Sequence, residues 1–259
     1  MNKKIALIAS IILTSNVAFA ASFSINSNSL GLSSVDTGYN PAASSYTQNI
    51  DPATITPANS VSCSAGGLHA DNSYIRRFDL DGDHGVTGSI NIDSVDIGIE
   101  TAAGAGGTQP ITINLYSIAN ADALLFANLN NIGTLSTNVA DAATVIQNFV
   151  VTGTINGTTD DLVVEVFTPD GQAAGHSFFM GSNAAGQIAP AFIAAAACGI
   201  TEPTDTAAIG FPDAQFVMTV NASNAAVALA PPTPVPSLTW LGLALMVLTL
   251  GFFGRKFVK

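Results

Sequence analysis

Residues 89–100 read SINIDSVDIGIE. Successive side chains of a β-strand point to opposite faces, so Ile90 and Ile92 share one side. Val95, Ile97 and Ile99 continue the alternation, but on odd numbers. One slip between Ile92 and Val95, a bulge or bend, brings all five to the same face.

The same texture recurs along the chain. Ser73–Leu80 (SYIRRFDL), Ile111–Tyr116, Ile146–Ile155, Leu162–Thr168, Ser177–Met180 and Gln215–Val220 are short segments separated by Gly, Asn, Asp and Pro. In Ile111–Tyr116 the alternation turns Ile111, Ile113 and Leu115 inward. Short strands with frequent turn signals predict an all-β fold, a β-sandwich of jelly-roll-like type rather than an α/β fold. Residues 62–224 have the length of one such domain, long enough to bury a core. Ala119–Asn131 (ANADALLFANLNN) is the one short helix expected. Residues 21–61, rich in Ser, Asn, Ala and Pro, are either a loosely ordered lead-in or an edge strand with loops.

The two ends of the chain carry different signals. Residues 1–20, MNKKIALIASIILTSNVAFA, have Lys3 and Lys4, then the apolar stretch Ile5–Leu13, then Ala18-Phe19-Ala20. A basic start, a short apolar core and an A-x-A site describe a secretory signal peptide cleaved after Ala20. The competing reading is an N-terminal anchor, for which the apolar core is too short. At the other end APPTPVP, within a tether spanning 225–236, precedes Leu238–Gly254, an uncharged run of 17 residues. As a helix it spans roughly 26 Å, enough for a bilayer core. Arg255, Lys256 and Lys259 follow as a basic stop that keeps the tip cytoplasmic, with the preceding chain outside.

This closing layout resembles the C-terminal sorting signals of Gram-negative surface proteins, and among them the IPTL-CTERM type. Its Ile-Pro-Thr-Leu core followed by Trp-Gly is similar to Val235-Pro236-Ser237-Leu238, then Trp240 and Gly242. The gap from Leu238 to Trp240 is one residue shorter than in the motif, and Leu241 separates Trp240 from Gly242. The resemblance covers about the last 25 residues. It implies an integral-membrane sorting protease of exosortase type as partner, with cleavage near Pro236. A plain tail anchor that is never cut is the alternative. A second resemblance covers most of 60–222. VVEVFTPDGQAAGHSFFMGSNAAGQ (163–187) and ACGITEPTDTAAIGFPDAQFVMTVNA (197–222) are similar to a β-sandwich module of secreted bacterial proteins. That resemblance implies a non-catalytic accessory or surface domain.

Between Ala21 and Gly254 lie all 18 acidic residues and only two basic ones, Arg76 and Arg77, a net charge of −16 with His neutral. Such a domain is repelled by phosphate backbones, which excludes ordinary nucleic-acid binding. With few charges overall, its surface must be rich in Ser, Thr, Asn and Gly. In the strand SYIRRFDL, Arg76 and Arg77 point to opposite faces, and one of them is expected to meet an internal carboxylate. Cys63 and Cys198 stand alone in a chain expected in an oxidising compartment, which predicts a disulfide. It would close a loop of about 135 residues and stabilise by up to about 5 kcal/mol.

FDLDGDHG (78–85) is the best candidate site. Asp79, Asp81 and Asp83 alternate, and Gly82 and Gly85 let the loop bend. Ca²⁺ takes several hard oxygens, which makes it the candidate cofactor here. An EF-hand-like loop would need Gly and Glu where His84 and Ile90 stand, and the competing reading is an acidic turn after a strand. Gly175-His176-Ser177 suggests a nucleophile elbow, but Phe179 occupies the place of its second Gly, and the stretch reads as a strand. His69 and His84 show no metal spacing and are expected in surface loops. Asp160 and Asp161 read as a hairpin turn. No motif for catalysis emerges. A surface or matrix protein is the leading expectation, and extracellular polysaccharide is a candidate partner. The chain's one Trp lies in the tail, so Tyr39, Tyr46, Tyr74 and Tyr116 are the tyrosines left to hold sugar. A hydrolase without a recognisable motif is the remaining alternative.

Overall fold

A computed structural model describes residues 43–224. They form an all-β fold. The first half of the chain gives β1 (Ala43–Thr47), β2 (Ser64–Ala65), β3 (Leu68–His69), β4 (Asn72–Phe78), β5 (Ser89–Ala103), β6 (Thr108–Ala119) and β7 (Asn130–Ala140). Then come β8 (Ala142–Phe149), β9 (Gly153–Asn156), β10 (Asp160–Thr168), β11 (Ser177–Met180), β12 (Ser182–Asn183) and β13 (Ala191–Ala195). β14 (Ile200–Asp205), β15 (Gln215–Phe216) and β16 (Met218–Asn224) complete the order.

Two six-stranded antiparallel sheets dominate. The first is built on β5, the stretch that opens with SINIDSVDIGIE. β16 and then β11 pair along one flank of it, with β1 outside β16; β8 and then β9 pair along the other flank. The second sheet has the order β14-β13-β4-β10-β6-β7. Inward side chains of both meet in one hydrophobic cluster. Ile90, Ile92, Val95, Ile97, Ile99 and Val220 come from the first sheet, and Tyr74, Phe78, Ile113, Leu115, Val164 and Val166 from the second.

The expected slip in β5 is present. Ser94 pairs with Asn221 while Ile92 pairs with Ala222, leaving Asp93 as the extra residue. All five apolar side chains of the stretch therefore face the core. A second device lets two strands share one flank of β5. At Gly98 the strand β16 gives way to β11, and the amide of Gly181 donates to the Gly98 carbonyl at 2.7 Å. A Cβ on Gly181 would stand 2.7 Å from the Gly98 carbonyl carbon, so only glycine permits this approach.

The helix expected over Ala119–Asn131 does not form. Ala119 ends β6, Asn130 opens β7, and only a 3₁₀ turn, Phe126–Asn128, lies between them. The physical reason is visible in Arg77. Its guanidinium donates to the carbonyls of Asp122 (2.7 Å), Asn120 (2.9 Å) and Ala119 (3.5 Å). Those are carbonyls that a helix starting here would need for its own first turns. Leu124, Phe126 and Leu129 instead spread over Ile75, Ile118 and Val163 on the outer face of the second sheet.

β1, within the Ser/Asn-rich 21–61 stretch, is an edge strand paired with β16 from Ala43↔Ser223 to Thr47↔Thr219. The following chain is tied down at Glu100, whose carboxylate accepts from the amides of Ala58, Asn59 and Ser60. Cys63 and Cys198 form the expected disulfide, with an S–S distance of 2.00 Å and Cα atoms 5.9 Å apart.

Candidate functional site

The outer face of the second sheet carries a row of polar side chains hydrogen-bonded to one another around a buried carboxylate. β10 is its central strand. Leu162, Val164 and Val166 face the core, which turns Asp161, Val163, Glu165 and Phe167 outward. Glu165 is buried nonetheless. Its carboxylate accepts from Ser73 Oγ of β4 at 2.5 Å and from Asn114 Nδ2 and Tyr116 Oη of β6, both at 2.8 Å. The network continues sideways: Thr134 Oγ1 donates to Asn114 Oδ1, and Asn131 Nδ2 donates to Thr134 Oγ1, both at 2.9 Å. Register puts these groups in line, since Glu165 lies opposite Asn114 and Asn114 opposite Thr134. Burial and the adjacent Glu165 carboxylate push the Tyr116 hydroxyl well above its ordinary pKa, so it stays a neutral donor. Half-exposed Tyr116, Phe167 and Phe192 flank the row. Fixed donors and acceptors beside aromatic rings can hold a hydroxyl-rich ligand.

Both arginines are placed by β4 as its alternation requires. Arg77 turns outward, and its Nε donates to Asp161 Oδ2 at 2.6 Å, the internal carboxylate the sequence called for. Burial raises the pKa of Asp161, and Arg77 works against that rise. Asp160 and Asp161 therefore open β10 rather than form the hairpin turn, which falls at Asn156–Thr159. Arg76 turns into the core with no carboxylate beside it. Its Nε and Nη2 donate to the Phe216 carbonyl at 2.9 and 2.7 Å, and its Nη1 to Gln187 Oε1 and the Ala189 carbonyl. Desolvation pulls its pKa down to about 9. It stitches three chain segments together from inside.

Asp79, Asp81 and Asp83 lie in the turn after β4, all exposed. Asp79 caps that turn itself, with Oδ1 accepting from the Gly82 amide at 2.7 Å. Among the described residues no three His, Cys, Asp or Glu side chains are grouped so that they could hold a metal ion.

The histidines correct the sequence reading. His69 is 1% exposed and lies edge-on to Phe178, and half-buried His84 packs against Tyr46 and Phe78. His69 ends the short strand β3 and His84 lies in the turn after β4, and neighbouring rings cover both. Desolvation lowers both pKa values. Ser177 opens β11, opposite Ala103, and no helix follows as a nucleophile elbow requires.

An open groove of about 640 Å³ lies where the start of β7 meets β5 and β9, lined by Asn91, Ile92, Asp93, Ile132 and Thr152–Thr154. Asp93 is its charged group, and it accepts from Ser223 Oγ at 3.2 Å. The predicted signal cleavage at Ala18 and Ala20, the sorting motif Val235, Pro236, Ser237, Leu238 and Trp240, and the basic stop Arg255, Lys256 and Lys259 lie outside the described residues. Tyr39 does too.

Neither a protein-family model nor a curated protein matches this chain.

Proposed function

We propose that the protein is an exported, C-terminally sorted or anchored cell-surface protein whose β domain plays a structural or accessory, non-catalytic part in the envelope or extracellular matrix. The observation that carries this reading is the Cys63–Cys198 disulfide. Such bonds persist where the compartment is oxidising, and the signal peptide read over residues 1–20 supplies the route there. The Pro-rich tether, the apolar run Leu238–Gly254 and its basic end support sorting at the membrane, with an exosortase-like protease as the partner.

The test is the intact mass of the protein purified from its own host. A chain starting near Ala21, ending near Pro236 and lacking two hydrogens at its cysteines fits the reading. A reduced chain beginning at Met1 would overturn export, and one ending at Lys259 would overturn sorting by cleavage.

A second reading rests on the row centred on Glu165. Extracellular polysaccharide is the ligand class that Tyr116, Asn114, Thr134 and the flanking Phe167 and Phe192 suit best. Titration with acidic and neutral polysaccharides should give binding that Tyr116→Ala weakens. Unchanged binding in that variant would remove this face from consideration.

A further inference from the structure

The flank of β5 that carries β8 and β9 is interrupted. The β8 ladder ends at Val95↔Phe149, and the β9 ladder begins at Ile92↔Gly153. Between them the chain 150–152 swings away from β5, fastened by the buried Val151. The β5 residues opposite the gap are Asp93 and Ser94, where the bulge lies. Bulges re-aim side chains and are over-represented beside functional sites. The open groove lies at this gap, and its volume of about 640 Å³ falls within the roughly 300–1,000 Å³ of ligand clefts. Its walls are set by backbone. A Cβ on Gly133 would collide with the Thr152 carbonyl, and one on Gly153 would stand 3.1 Å from the Ile132 carbonyl oxygen. The start of β7 and the start of β9 are thus in direct contact, and the groove is formed before any ligand arrives.

The lining has three kinds of group. Ile92 and half-buried Ile132 supply apolar surface, and Asn91, Thr152 and Thr154 supply amide and hydroxyl groups. Thr154 Oγ1 donates to Asn91 Oδ1 at 3.0 Å, which leaves Asn91 Nδ2 as a donor for a ligand. Asp93 is the only charged lining residue. It is exposed, and among the described residues only its Oδ1 is engaged, by Ser223 Oγ. No arginine or lysine of the described residues offsets it. Arg76 is engaged in the core by the Phe216 carbonyl, and Arg77 is paired with Asp161. A ligand cation would meet an unopposed carboxylate, whereas an anion would meet an ectodomain of −16. We propose that this groove binds an amino sugar of an extracellular glycan. Its protonated amine pairs with Asp93, its hydroxyls bond to Asn91, Thr152 and Thr154, and the apolar face of its ring lies on Ile132. The extracellular source of the sugar rests on the export reading above; the chemistry of the groove does not. The site is separate from the Glu165 row, which belongs to the other sheet.

Titration calorimetry of the full chain in detergent should show binding of a β-1,4-linked glucosamine tetramer. The same tetramer N-acetylated, which lacks the amine charge, should bind about tenfold more weakly. Asp93→Asn should erase that preference, Asp93→Arg should abolish binding of the glucosamine tetramer, and raised salt should narrow the gap between the two ligands. Spermidine, a polyamine without hydroxyls, should compete poorly. Tyr116→Ala should leave binding unchanged. Melting curves establish that each variant is folded. No binding of the glucosamine tetramer overturns the proposal, as does equal binding of the two tetramers or binding that survives Asp93→Arg. Spermidine competing as well as the tetramer would reduce the groove to a bare charge and overturn the sugar assignment. Binding lost in Tyr116→Ala and unchanged in Asp93→Asn would move the ligand to the Glu165 row, and would also overturn it.

Discussion

β10 and β8 are antiparallel strands of nearly equal length, and both read as apolar. DDLVVEVFT is buried almost throughout, including an aspartate and a glutamate; AATVIQNF is exposed over six residues, including a valine and an isoleucine. Apolar content does not separate them. Position does. β10 has β4 and β6 on its flanks, the core on one face and the 120–129 segment on part of the other. β8 has β5 on one flank and, among the described residues, no strand on the other. A strand's burial is thus a property of what its neighbours leave uncovered, and a charged side chain can be buried if those neighbours bring donors.

The sharpest way to break this contrast is to cut what closes the buried side. Cys63 and Cys198 fasten the chain before β4 to the chain after β13. The double variant Cys63→Ser/Cys198→Ser should lose up to about 5 kcal/mol, read by urea unfolding. Next is the buried acid of β10. Glu165→Ala strands Ser73, Asn114 and Tyr116 without their acceptor and should cost about 3 kcal/mol, whereas Gln147→Ala on β8 should be silent. The apolar pair is a direct comparison: Val164→Ala should cost about 2 kcal/mol and Val145→Ala less than about 0.5 kcal/mol. Equal costs would sink the distinction between the strands.

Acid should act on the histidines drawn under the sheets. Burial holds the folded pKa values of His69 and His84 below 6.5. The unfolded chain then binds protons first, so stability is full above about pH 6.5 and falls as pH drops through that value toward the lowered folded ones. His84→Phe, which suits the ring contacts with Tyr46 and Phe78, should flatten part of that slope in melting curves. The one substitution expected to stabilise is on β8 itself. Thr144→Gly relieves a β-branched residue at positive φ and should be neutral to stabilising by about 1 kcal/mol.

The core of the fold was legible because alternation is local. Ile90 to Ile99 announce both their face and their bulge within ten residues. β7 was not, since NNIGTLSTNVA mixes glycine and polar residues whose apolar members are only partly covered. The acidic turn at 79–83 stood out as a motif, yet one of its carboxylates caps its own loop. The Glu165 row gave no such signal. Its donors lie 92, 51 and 49 residues away in sequence, and only sheet order brings them together. The missing helix had the same cause, a long-range arginine that claims backbone carbonyls no local pattern can reserve.

β1 and β16 run side by side with Ala43 opposite Ser223, so both described ends of the chain leave from one end of the sheet. β16 is flanked by β1 and β5. A pull transmitted through Asn224 along the strand meets ladders of hydrogen bonds lying across its direction on both sides. They must shear together instead of peeling one at a time. A load applied at Asn224 along β16 would thus be resisted by the β1 and β5 ladders acting together, and by the core contacts of Met218, Val220 and Ala222.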